Sequence, residues 1–282
     1  MAKMSPTDPV DAVTEQTASG MIAEIFVDIR QTLDVEVVNL IWRHLATMPG
    51  GLEWVWSSLK PLYEGAAIAP AANIRRHMSL PRVSVISHDT LRVAGIDGEA
   101  LAGIGAILDS YQHTNALALV CFSAFLTRFE NEASGPEPTA SGNAETTDFY
   151  KPPGRLKLPR LIPLDEMPTS LANLIRELNG FGEDADPTLT ASMYRHLAHW
   201  PTYLALVRTL LAPLQASGEL GSLVEATRRL GYDAGKQLAG GISAAPLPQP
   251  IEPILGAVRR FAHHPIARMT GICSLIRLAT PR

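Results

Sequence analysis

The sequence predicts an all-α protein: two tandem helical repeats forming a pseudo-dimer around a central cavity. Three observations carry that expectation. Apolar residues recur at i, i+3, i+4 and i+7 along most of the chain, the stripe by which an amphipathic helix buries one face. Strand-like alternation is confined to residues 82–88, where Val83 and Val85 alternate with polar neighbours, and a lone strand has no ladder partner. Finally, Arg43-His44-Leu45-Ala46 followed by Pro49 returns as Arg195-His196-Leu197-Ala198 followed by Pro201, 152 residues later (196 minus 44). A displacement of just over half of a 282-residue chain signals duplication, and is too long for a solenoid.

Taken in order, residues 1–18 lack apolar periodicity and predict a frayed arm. Ile22, Ile25, Phe26, Ile29 and Leu33 mark a first helix from Gly20, and residues 37–46 a second, stopped by Met48-Pro49-Gly50-Gly51. Residues 52–63 restart with Trp54, Val55, Trp56, Leu59 and Leu62. Residues 82–88 read as loop or helix. Asp97 is a candidate N-cap for a helix over 100–108, and Tyr111-Gln112-His113-Thr114-Asn115 reads as a break before an apolar core helix over 116–129. Residues 131–168 turn rich in Ser, Gly and Pro, as suits an extended connector. Helices are then expected over 171–178, 190–199, 203–214, 220–230, 251–261 and 266–278, with an acidic loop over 180–187. The expected domains are a flexible arm (1–18), repeat one (19–130), a Pro-rich linker (131–168) and repeat two (169–282).

The two halves agree beyond the opening motif. Lys60-Pro61-Leu62 answers Ala212-Pro213-Leu214, Arg75-Arg76 answers Arg228-Arg229, and Tyr111-Gln112-His113 answers Phe261-Ala262-His263. Polar groups near the approximate two-fold axis of such a pair can define one cleft.

Composition narrows the function. A 46% hydrophobic and 18% charged chain supports a real core, and a net charge of −4 offers no basic face for nucleic acid. No apolar run is long enough to span a membrane and no signal-peptide pattern opens the chain, so a cytoplasmic protein is expected. Cys121 and Cys273 read as buried thiols. The histidines His44, His113, His196, His199, His263 and His264 are numerous, but no third ligand is fixed by spacing, so neither metal nor another cofactor is expected.

The segments Asp28-Ile29-Arg30-Gln31-Thr32-Leu33, Leu45-Ala46-Thr47-Met48-Pro49-Gly50, Ala94-Gly95-Ile96-Asp97-Gly98-Glu99, Tyr111 through Asn115, and Leu197-Ala198-His199-Trp200-Pro201 resemble the group I DL-2-haloacid dehalogenases. They stand in that family's order over most of residues 20–278. The resemblance implies two all-α repeats and a reaction in which an aspartate activates water to displace halide from C2 of a small 2-haloalkanoic acid, without a covalent intermediate. That aspartate lies seven residues before the Trp of the Trp-Pro turn. Counting back from Trp200 gives Met193, which can neither accept a proton nor orient water strongly. Ala191 matches the small residue that leaves space for either enantiomer, Asn115 matches an amide near the pocket, and Gln112 nearly does.

Two groups are candidates to replace the missing aspartate. His196 titrates near neutrality and lies one turn from Met193; Asp186 ends an acidic loop, with Glu183 and Asp184, directly before this helix. Tyr194 is a candidate donor beside Met193, and Arg195, like Arg43, could grip a substrate carboxylate by a bidentate pair. Tyr111 and His44 complete the expected binding set. The function expected is a hydrolase resembling the 2-haloacid dehalogenases, acting on a small carboxylic acid. The alternative is a member without dehalogenase activity that binds a small apolar acid or a His-liganded cofactor. Assembly as a homodimer stays open.

Overall fold

The computed structural model describes residues 10–130, 157–182, 189–243 and 247–282. The start of the expected arm, most of the Pro-rich linker and the acidic loop with Glu183, Asp184 and Asp186 lie outside the described residues. Regular structure among those described is helical throughout. No described helix is long and apolar enough to cross a membrane.

Helix α1 (Gly20–Leu33) buries Phe26, Ile29 and Leu33, one face of the predicted stripe. It ends on Asp34 at φ 51°, a left-handed cap whose N–H returns to the last carbonyls of the helix. After α2 (Leu40–Leu45), Gly50 at φ 70° makes the turn into α3 (Gly51–Pro61), where a side chain would be strained. A π-helical turn over Leu62–Ala66 leads to α4 (Ile68–His77). Residues 82–87 form a loop without regular structure, pinned where the Ile86 N–H donates to the Ala279 carbonyl at 2.8 Å. Ser87 then caps α5 (His88–Val93), its hydroxyl accepting from the Thr90 N–H.

Helix α6 (Gly98–Glu130) departs from expectation. Asp97 caps it, Oδ1 accepting from the Ala100 N–H at 2.8 Å, but the predicted break at 111–115 is absent. One helix of 33 residues, about 50 Å long, runs straight through the core. Tertiary contacts override the weak helix propensity of this polar stretch. Thr114 returns its hydroxyl to the Ser110 carbonyl, Gln112 donates to Ser274, and Tyr111 meets His196.

The remaining helices are α7 (Thr169–Asn179), α8 (Ser192–Leu197), α9 (Pro201–Ala216), α10 (Glu219–Leu238), α11 (Glu252–Phe261) and α12 (Ala267–Ala279). A second π-helical turn, Ala262–Ile266, joins the last two into one rod. Helix α10 runs about two turns beyond expectation and presses on α6 at Gly231 and Gly235, where an added Cβ would lie 2.4 Å from Leu119 Cγ and 2.5 Å from the Ala124 nitrogen. Backbones that close leave no room for a side chain.

The order of a long helix, a short helix of six residues and a further long helix thus comes twice, as α1–α2–α3 and α7–α8–α9. Its contacts come twice as well. The Val13 N–H donates to the Arg43 carbonyl at 3.0 Å, and the Ile162 N–H to the Arg195 carbonyl at 3.4 Å. His44 packs on Phe261 and His196 on Tyr111, with ring centres 5.7 Å apart in both pairs. The cores differ in content. Trp42 anchors Trp56, Tyr63 and Phe122, and Trp54 meets Phe125 and Phe129.

Candidate functional site

The starts of α2 and α8 converge on the middle of α6 and the second π-helical turn, and between them lies a cavity of about 70 Å³. That is several times the roughly 15 Å³ one ordered water needs. Tyr111, Asn115, Thr190 and Ser192 give its wall polar groups on one side; Leu40, Ile41, Phe261 and Ile266 make much of the rest apolar. Met193, wholly buried, lines the wall as well. Among the described residues no carboxylate, lysine, arginine or histidine lines this cavity.

Asn115 is 7% exposed, and its amide nitrogen Nδ2 has no hydrogen-bond partner among the described residues. A buried amide N–H without an acceptor costs about 1–3 kcal/mol, so this group is set for an occupant that accepts from it. Tyr111 reaches the same wall. Its hydroxyl lies 2.9 Å from His196 Nδ1, and burial pushes its pKa up, opposed by the fields of Arg195 and Arg43 and by the Ser192 hydroxyl. Those two guanidiniums offset part of the burial cost of negative charge at the hydroxyl, which stays protonated.

His196 sits behind Tyr111 and does not itself line the cavity. It is 1% exposed, and its Nε2 has no partner among the described residues. Burial drives its pKa down to about 4, helped by Arg195 and His199, so the imidazole is neutral at pH 7. A base at about 4 matches an ordinary aspartate in proton affinity, about 3.9, though without its negative charge.

The other sequence candidates fall elsewhere. Ala191 lines the cavity, but Gln112 turns to Ser274, and Arg195 donates through Nε to the Ile162 carbonyl. His44 Nδ1 lies 2.7 Å from the Asp11 carbonyl, off the cavity wall. Tyr194 is fully buried away from the cavity, its hydroxyl without a partner among the described residues, and burial raises its pKa. No cluster of potential metal ligands occurs among the described residues.

Sequence reasoning missed the apolar side and the support beneath it. Ile41 and Phe261 were in reach: subtracting 152 from Met193 gives Ile41, and adding 150 to Tyr111 gives Phe261. Asn179 gave no signal. Buried at the end of α7, it donates to the Leu189 carbonyl and accepts from the Ala191 N–H and from buried Arg268, fixing the segment that carries Thr190.

This all-α fold is also seen in D-2-haloacid dehalogenase structures. One solved with L-LA and a mutant solved with D-2-CPA each superpose with a TM-score of 0.70 over 99% of this chain and 97% of theirs, at 18% identity. No family model matches the chain. In sequence it is 24% identical to a configuration-inverting 2-haloacid dehalogenase of Alcaligenes xylosoxydans xylosoxydans, over 72% of this chain and 68% of the relative. It is 25% identical to another of Pseudomonas sp. (strain 113), over 82% and 76%. A 61-residue stretch is 33% identical to an (R)-2-haloacid dehalogenase of Pseudomonas putida, over 21% of this chain and 20% of the relative. Together these likenesses relate the chain to 2-haloacid dehalogenases, in fold through the solved structures and in sequence at low identity through the relatives.

Proposed function

We propose that the two helical halves form a pseudo-dimer about an approximate two-fold axis through the cavity, and that the protein is a hydrolase acting there on a small 2-haloalkanoic acid. The observation that carries the reading is Asn115, which lines the cavity and whose buried amide nitrogen has no acceptor among the described residues. Water attacks C2 directly, the C–X electron pair leaves with the halide, and configuration inverts, as the names of the relatives imply. The water's proton passes to Tyr111 as the phenol proton moves to His196 Nδ1, so His196 acts through Tyr111. Asp186, outside the described residues, is the other candidate base.

A second reading has its own observation. Met193 and Ile41 make the wall apolar where the family aspartate would stand, and this favours a member that binds a small acid without hydrolysing it. Incubation with each enantiomer of 2-chloropropionate and measurement of halide separates the two. The hydrolase reading expects release by the wild type, and a rise of about 10²-fold or more in Met193→Asp, the scale of a well-placed general base. Wild-type release no greater than that of heat-inactivated protein abandons hydrolysis and leaves binding.

A further inference from the structure

We infer that the cavity sorts its occupant by side: the polar head lies on Tyr111, Asn115 and Ser192, and the carbon tail lies between Ile41 and Met193, which together set the chain length that fits. The inference deepens the proposed binding of a small acid and rests on it.

The argument starts from numbering. Each of the three polar groups has a counterpart from the other half in the same wall, and each counterpart is apolar. Tyr111 is answered by Phe261 and Asn115 by Pro265, 150 residues on (261 minus 111), while Ser192 is answered by Leu40, 152 back (192 minus 40). The contacts sort the same way: α6 packs on α8 and brings the polar groups together, while α11 packs on α2 and brings their apolar counterparts together. Asn39, half-buried before α2, is the polar exception on the apolar side.

Ile41 and Met193 break the alternation. They are each other's counterparts, 152 apart (193 minus 41), both apolar, and 3% and 0% exposed. An oxygen placed between them would find only carbon and sulfur, losing its hydration without a donor in return. The reversed pose fails on the other side, where an alkyl group against Asn115 would leave Nδ2 buried and unpaired. Head and tail therefore have one arrangement. The Arg195 and Arg43 guanidiniums offset part of the burial cost of a negative charge at the head end, such as a carboxylate carries.

Calorimetric titration of the full chain with acetate, propionate, butanoate and the uncharged propionamide tests this, in the wild type, Asn115→Leu, Ser192→Ala, Ile41→Ala and Met193→Ala. Ile41→Val and Met193→Leu stand in if circular dichroism shows an alanine variant misfolded. Asn115→Leu should weaken every acid by tenfold or more alike. Ile41→Ala and Met193→Ala should raise the ratio of butanoate to propionate affinity at least threefold; the valine substitution should raise it less, and the leucine substitution should change it. An unchanged ratio in the tail variants, or an Asn115→Leu effect that depends on chain length, overturns the assignment. If the wild type binds propionamide but no acid, and the variants keep this pattern, the head and tail assignment stands and the acid reading falls. If nothing binds, both fall.

Discussion

Helices α2 and α8 carry the same Arg-His-Leu-Ala sequence, and the two histidines have different lives. His44 is partly exposed, spends Nδ1 on the Asp11 carbonyl and packs against Phe261. His196 is buried, shares Nδ1 with the Tyr111 hydroxyl, and has its pKa depressed to about 4. A repeated motif therefore fixes where a ring sits, while the neighbour packed on it decides what the ring can do. The largest expected effect breaks this contrast directly. His196→Leu should lower turnover of a 2-haloacid by roughly 10²-fold or more, and His44→Leu by no more than about threefold, in a halide-release assay. Equal losses in the two variants would mean that both histidines serve only packing.

The supports beneath the two short helices differ in the same manner. Ahead of α2, the Val38 N–H donates to Glu15 Oε1 at 2.9 Å, and Glu15 pairs with Arg30, both partly exposed. Ahead of α8, the Ala191 N–H donates to Asn179 Oδ1 at 3.0 Å, and that oxygen also takes buried Arg268 at 3.0 Å. Removing an acceptor in the dry core strands its donors, whereas water replaces one near the surface. Urea unfolding should show Asn179→Ala losing about 3 kcal/mol and Glu15→Ala about 1 kcal/mol. The reverse order would place the rigid lip of the cavity in the first half.

Acid sharpens the contrast further. His196 in the folded core takes its proton only near pH 4, whereas an unfolded histidine takes one near 6.5. Between those values the unfolded chain binds the proton the core refuses, so stability is full above about pH 6.5 and falls as pH drops toward 4, by roughly 3 kcal/mol for one such group. His113, also pushed down to about 4 by burial and by Arg75, adds a parallel loss. Replacing His196 with Leu should remove about half of the stability difference between pH 7 and pH 5. An unaltered pH dependence would mean that this imidazole titrates in the folded core as it does in the unfolded chain.

Much of this was legible in the sequence. The apolar stripe located α1, α2, α7 and α9, because it follows from which face must leave water, and the duplicated motif falls on α2 and α8. The continuity of α6 was not legible, since Tyr111 to Asn115 read locally as a break, while their partners Ser274 and His196 lie far along the chain. Ala191, Met193, Asn115 and Tyr111 reach the cavity, each placed through the resemblance or the repeat. Asn179 and Arg268 carried no local signal, because an asparagine ending a helix and an arginine in an apolar run acquire meaning only when three-dimensional packing joins them.

The smallest substitution tests the comparison most narrowly. Tyr111→Phe makes the residue packed on His196 the same as the one packed on His44, changing one oxygen atom and leaving the ring contact in place. His196 Nδ1 then loses the Tyr111 hydroxyl, and the cavity loses a polar group, for a stability change of about 1 kcal/mol. Nitrogen chemical shifts of the His196 ring should move with that lost hydrogen bond, while those of His44 stay within error. If the His196 shifts and propionate affinity both stay at wild-type values, the hydroxyl is not what separates the two histidines, and burial depth alone must account for the difference.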